Sequence, residues 1–161
     1  MTKKQIASMD HVWAPWRMKY IQETSEKGCF FCKGVKQEDG ADNLIVKRGK
    51  FAFVMLNRYP YASGHLMVVP YIHEANLENL SIETKTDIML LITQAIQVLK
   101  KEYGAEGFNI GANLGATAGA GVADHLHFHV VPRWHGDTNF MTCVGNARVL
   151  PENLIDTQKR I

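Results

Sequence analysis

Three of the chain's seven histidines fall at alternate positions in the run His125-Leu126-His127-Phe128-His129-Val130-Val131-Pro132. Side chains of an extended chain alternate between faces, so the three imidazoles share one surface while Leu126, Phe128 and Val130 turn the other way, into a core. A single histidine there would be an ordinary strand residue; three at strict alternation point to chemistry. Neutral imidazole is the commonest zinc ligand, and alternate strand positions can share a metal. With an ordinary pKa of about 6.5 it is also a nucleophile at neutral pH. The segment before the run, Gly115-Ala116-Thr117-Ala118-Gly119-Ala120-Gly121, favours the second chemistry. Its small residues let backbone N–H groups approach an anion such as phosphate closely.

A second group, Cys29-Phe30-Phe31-Cys32, is a Cys-x-x-Cys without a partner pair. Two buried small residues, a redox pair and half of a tetrahedral zinc site are all open to it, although no βαβ unit surrounds it as in thioredoxin-like proteins. Zinc needs two further ligands. The third cysteine, Cys143, reads as a buried small residue. An odd cysteine count is no secreted disulfide framework, and with a start lacking a signal peptide's apolar run it indicates a cytoplasmic protein.

The elements that position these groups fit one domain. The chain has 161 residues, 46% hydrophobic and 21% charged, with a formal net charge of +2. That is enough for one core and lacks the basic footprint of a nucleic-acid polymer binder; nor does any stretch approach the roughly 20 apolar residues of a membrane span. The polar stretch from Gln22 to Asn43 reads as a loop around the cysteines. Leu44-Ile45-Val46 and Phe51 to Leu56 flank a Lys47-Arg48-Gly49-Lys50 turn as a hairpin, and Gly64 to Val69 forms a third strand ending at Pro70. Ser81 is an N-cap, Ile82 to Tyr103 carries apolar residues at helical spacing, and Gly104 ends the helix. Phe108 to Leu114 and His125 to Val131 suit two more strands. Pro151 suits the first position of a short final helix. Hairpin-linked strands around one long helix predict an antiparallel α+β domain.

On these residues the chain resembles the histidine-triad family, whose signature His-φ-His-φ-His-φ-φ, with φ apolar, is met at all seven positions from His125 to Val131. The segment from Leu56-Asn57-Arg58-Tyr59-Pro60 to Gly64-His65 and Pro70 is similar to the family's ligand-binding strand pair. Trp13-Ala14-Pro15-Trp16-Arg17-Met18, together with Arg133-Trp134 and Gly136 to Phe140, resembles its diadenosine tetraphosphate phosphorylase branch. The resemblance implies a single domain over 1–161, with an N-terminal segment 1–43 holding the cysteine loop, a catalytic core 44–134 and an extension 135–161.

It also implies a two-step nucleotidyl transfer. His127 attacks an α-phosphate, and the nucleotidyl-histidine passes its nucleotide to phosphate or, alternatively, to water. A backbone carbonyl in the strand pair orients the His127 ring, and His129 contacts phosphate and the bridging oxygen. Asn57 falls where the family holds the ribose, and Asn113 where an amide touches phosphate; Gly119 and Gly121 form the phosphate loop. Arg133, the backbone of the Gly115 to Gly121 loop and His129 are candidate donors for an acceptor phosphate. Many relatives have a Gln-Ser or Gln-Thr pair where Gly121 and Val122 stand, which shifts phosphate binding here toward backbone N–H groups. Relatives with the cysteine pair complete a structural zinc site with a histidine three positions after the strand-ending proline and the first triad histidine, which implies Cys29, Cys32, His73 and His125. No organic cofactor is implied, and the assembly implied is a homodimer. His65 is expected to hydrogen-bond within the strand pair, and His11 and His135 to lie at the surface.

Overall fold

The computed structural model describes residues 28–137 and 152–161. They form α1 (Phe30–Gly34), β1 (Ile45–Arg48), β2 (Ala52–Leu56), β3 (Leu66–Pro70), α2 (Ile82–Tyr103), β4 (Gly107–Gly111), β5 (Phe128–Arg133) and α3 (Leu154–Arg160). One five-stranded sheet runs in the order β1-β2-β3-β5-β4, every pair antiparallel, which is the expected α+β arrangement. Among the described residues no helix is long and apolar enough to cross a membrane.

β2 and β3 are buried along their whole length because both faces of the sheet are covered. Val54, Leu56, Leu66 and Val68 meet Ile88, Leu91, Ile92, Ala95 and Leu99 of α2 on one face. The alternate residues Phe53, Met55, Met67 and Val69 join Phe31 and Ile45 on the other. His129 stands opposite Met67 of β3 and Gly111 of β4, and directly paired residues share a face. The histidines therefore occupy the face away from α2, to which α1 adds the buried Phe31 and the partly buried Phe30.

α2 forms where local signals place it. Ser81 accepts a bond from the Thr84 N–H at 3.1 Å, and Gly104 ends the helix in the left-handed conformation, with φ of 58°. A residue with a side chain would be strained there, which is why glycine is the stop. At the other end of the chain Gln158 of α3 donates to the Gly40 carbonyl at 2.9 Å, tying α3 to the loop before β1.

Several boundaries differ from expectation. β1 runs on through Lys47 and Arg48 of the expected turn, and β2, β3 and β4 begin one or two positions away from their expected starts. Four further differences have a local reason. β5 begins at Phe128 rather than His125, since Pro70 has no N–H with which β3 could extend the ladder. β4 ends at Gly111, opposite His129 and one position from the start of β5, and so stops short of Leu114. α3 begins at Leu154, where Asn153 accepts from the N–H groups of Ile155 and Asp156 at 3.0 Å each; Pro151 lies outside the described residues. The cysteine loop contains α1, whose five residues are too few to show a periodicity.

One side chain fastens α2 to the hairpin. Asp87 accepts from the N–H groups of Phe51 and Ala52 at 2.6 and 3.0 Å. Asp87→Ala strips two backbone donors of their acceptor, at a cost of about 1–3 kcal/mol. A lower urea midpoint with unchanged slope is expected; an unchanged midpoint would show that water replaces the carboxylate at no cost.

Candidate functional site

Cys29 and Cys32 sit at the two ends of the first turn of α1, with Cys29 at the N-cap. Their sulfurs converge on His73, just after β3, and on His125. The Cys29 Sγ lies 3.3 Å from His125 Nδ1, and the Cys32 Sγ lies 3.5 Å from His73 Nδ1 and 3.7 Å from His125 Nδ1. The two ring nitrogens are 3.3 Å apart. A tetrahedral zinc ion with ordinary bond lengths holds sulfur and nitrogen ligands about 3.6 Å apart and two nitrogens about 3.4 Å apart. The four atoms therefore have the spacing of a closed tetrahedral site and can hold a metal. The outer partners agree. His125 Nε2 lies 2.9 Å from the Pro70 carbonyl and must donate to it, which leaves Nδ1 with a free lone pair aimed at the centre. His73 Nε2 has the Asp124 carboxylate at 3.6 Å.

Hydrogen-bond partners fix the tautomer of every other site histidine in the same way. His127 Nδ1 lies 2.9 Å from the carbonyl of His125 and donates to it, so Nε2 is the unprotonated nitrogen. The orienting carbonyl belongs to the triad run itself, a position the strand-pair expectation had missed. Around His129 the order reverses. The Tyr61 N–H donates to His65 Nδ1 at 3.1 Å, so the His65 proton is on Nε2 and is donated to His129 Nδ1 at 3.0 Å. His129 then carries its own proton on Nε2. The arrangement holds one imidazole with a bare nitrogen beside another with an N–H, with 5.1 Å between the ring centres.

Burial keeps these rings neutral. His65 is pushed down to about 3, first by burial and then by the neighbouring His129 and His127 rings. His129 is pushed down to about 4 by burial and by His127. His125 and His127 are also held below the usual histidine range, mainly by burial. Phe31 contributes to that burial, with its ring centre 5.2 Å from His125 and 5.1 Å from His127. Sequence reading passed over Phe31, because an aromatic between two cysteines looks like core; it is core, and it walls the site.

The remaining expected site residues gather nearby, several with their polar atoms already engaged. Asn57 accepts from the Tyr59 N–H at 2.9 Å, and its amide nitrogen lies 3.4 Å from His65 Nδ1. Asn113 donates to the Gly119 carbonyl at 3.4 Å and lines a cleft with His129. The Gly119 N–H is used inside the loop, donating to the Ala116 carbonyl at 2.9 Å, while Gly121 is exposed. Arg133, an apparent phosphate donor in the sequence, spends its guanidinium on both oxygens of Asp137 and, at 2.8 Å, on the Asn109 side chain. His135 is at the surface against Glu106. His11, Trp13, Trp16, Thr138 to Phe140 and Cys143 lie outside the described residues.

A neutral buried histidine stabilises the fold fully above its unfolded pKa of about 6.5, and that stability is lost as pH falls toward the folded value. For His65 the loss approaches about 1.4 kcal/mol per pH unit through this window. Urea midpoints measured from about pH 7 to about pH 5 are expected to fall, and His65→Gln to flatten the dependence by close to one proton. A wild-type midpoint that stays level over that range would contradict the neutral relay.

Comparison with known proteins places this geometry. A family model described as the HIT domain matches residues 37–136. The chain is 40% identical over 163 residues to the AP-4-A phosphorylase of Mycobacterium tuberculosis strain H37Rv, covering 96% of this chain and 84% of that protein. It is 33% identical over 113 residues to an adenosine 5'-monophosphoramidase of Candida albicans, covering 68% of this chain and 72% of that protein. A zinc-bound histidine triad family protein from Mycobacterium smegmatis shares the fold, with a TM-score of 0.66 at 24% identity over 82% of this chain and 88% of that one. With its triad run, its sheet and this family match, the chain belongs to the HIT family.

Proposed function

We propose that this HIT-family enzyme splits dinucleoside polyphosphates at an α-phosphate through a covalent nucleotidyl-His127, with inorganic phosphate as the second acceptor. For diadenosine tetraphosphate the products are ATP and ADP. The observation that carries the reading is the opposed pair of tautomers, a bare His127 Nε2 beside a protonated His129 Nε2. In the first step His127 Nε2 forms the P–N bond, the bond from α-phosphorus to the bridging oxygen breaks, and ATP departs with His129 Nε2–H stabilising that oxygen. In the second step a phosphate oxygen attacks the same phosphorus, the P–N bond breaks, and ADP leaves with His127 restored. Asn57, Asn113, Gly119 and Gly121 bind substrate in this reading. The 40% identity to an AP-4-A phosphorylase over nearly the whole chain supports phosphate as the acceptor.

Water is the second reading, giving a nucleotide hydrolase or phosphoramidase. Two observations favour it: the phosphoramidase relative, and the Arg133 guanidinium already bound by Asp137 and Asn109 instead of awaiting phosphate.

The same proposal includes one zinc ion on Cys29, Cys32, His73 and His125. A closed four-ligand site supplies order, not an open coordination position. A homodimer formed along the β4 edge is included too, supported by the side of that strand that has no partner among the described residues and by Ile110 at 46% exposure on it. So are a cytoplasmic location, in line with cysteines arranged for metal rather than disulfide, and the single-domain division at 43 and 134.

His127→Ala is expected to abolish turnover while nucleotide binding stays measurable, since it deletes the nucleophile and few contacts. Turnover within about tenfold of wild type would reject the covalent route. Incubation with labelled phosphate is expected to put label in the β-position of ADP; AMP and ATP at saturating phosphate would move the assignment to the hydrolase. Protein prepared without chelator is expected to contain about one zinc per chain, and Cys29→Ser to lose both metal and thermal stability. A metal-free wild-type preparation would exclude the site.

A further inference from the structure

Beside His129 a cleft of about 420 Å³ is walled by Tyr61, Asn109, Gly111, Asn113 and Arg133. His129 lines it and His127 does not. We propose that this cleft seats the nucleoside of the departing nucleotide, and that Tyr61 is the specificity-determining residue that selects substrates with a second base. The inference rests on the nucleotidyl-transfer reading above and specifies its leaving-group side.

Direction comes from the chemistry of displacement. Attack at phosphorus runs roughly in line, with nucleophile and leaving oxygen on opposite sides of the phosphorus. A leaving group whose bridging oxygen takes the His129 Nε2–H is therefore carried past His129 along this cleft, its phosphates first and its nucleoside beyond them. Size comes next. A volume of about 420 Å³ lies in the range of sites for nucleotide-sized ligands, whereas water or ammonia fills about 30 Å³.

The lining favours a base over a bare phosphate chain. The Tyr61 ring is 54% exposed, and its position is fixed by His65, with ring centres 4.7 Å apart, and by His129 at 5.9 Å. An aromatic ring held in place at the edge of a cleft is a stacking platform, and stacking tolerates either purine or pyrimidine. The one cation there, Arg133, has its charge balanced by Asp137, so the cleft is no strong trap for anions. The same guanidinium engages the Asn109 carbonyl oxygen, which turns the Asn109 amide group outward as a donor for a base edge or a ribose hydroxyl. Because Tyr61 serves the His65 relay through its backbone N–H, its side chain can be changed without removing that bond.

The test compares two substrates that share the adenylyl half: diadenosine tetraphosphate, and adenosine 5'-phosphoramidate, whose leaving group is ammonia. Both are assayed on wild type, Tyr61→Ala and Tyr61→Phe, with melting temperatures of all three. Tyr61→Ala is expected to lower kcat/KM for the dinucleotide roughly tenfold or more, mainly through KM. The loss on the phosphoramidate should be at least about threefold smaller than the loss on the dinucleotide, and Tyr61→Phe should keep the wild-type ratio between the two substrates. An equal loss on both substrates would overturn the inference by showing that Tyr61 acts on His65 and His129 alone, and no loss on either would overturn it as well. Wild-type protein that turns over neither substrate would instead reject the nucleotidyl-transfer reading on which the inference stands.

Discussion

The structure turns on His125, whose ring and peptide carbonyl do different work. The ring is fixed by the Pro70 carbonyl on one nitrogen and by the two sulfurs and His73 around the other. The carbonyl takes the Nδ1 proton of His127. The next residue is pinned as well, with the Leu126 N–H donating to the Glu74 carbonyl at 2.7 Å and its side chain in the core beneath α2. The His127 ring is thus oriented by an atom of a backbone that is held from three directions. A rotation of that peptide would take away the acceptor that holds the His127 proton on Nδ1.

Charge is the second constraint. Rings of His65, His127 and His129 stand about 5 Å from their neighbours, and two unit charges at that distance repel by about 3 kcal/mol at an effective dielectric of 20. A neutral hydrogen bond contributes only about 1 kcal/mol net. Neutrality therefore decides the site, and the bonds then choose among neutral tautomers. Burial by Phe31 on one side and by the β2–β3 turn on the other holds all of them uncharged at physiological pH.

The fold was legible in the sequence wherever one residue's local preference decided it. Ser81 and Gly104 bracket α2, and the alternation of β2 and β3 sorts their side chains to two faces. Strand ends were not legible, because they depend on the partner: β4 stops where β5 begins, and β5 begins where Pro70 leaves the ladder. At the site, the convergence of Cys29, Cys32, His73 and His125 came from family resemblance, since no spacing rule joins residues nearly a hundred positions apart. Arg133 misled for a related reason. An arginine close after the triad run reads as a phosphate donor until Asp137, four positions on, is seen to bind it. The His65 to His129 relay was legible only as a hydrogen bond somewhere in the strand pair; its direction needs the Tyr61 N–H, which carries no side-chain signal.

The account's central claim is the assignment of protons among the site imidazoles. Long-range proton–nitrogen NMR of isotope-labelled protein at neutral pH reads the state of each ring nitrogen directly. The prediction is a neutral His127 protonated on Nδ1, beside neutral His65 and His129 protonated on Nε2. A charged His127, or a neutral one with its proton on Nε2, would contradict it, since the nitrogen proposed to attack phosphorus would have no lone pair to give.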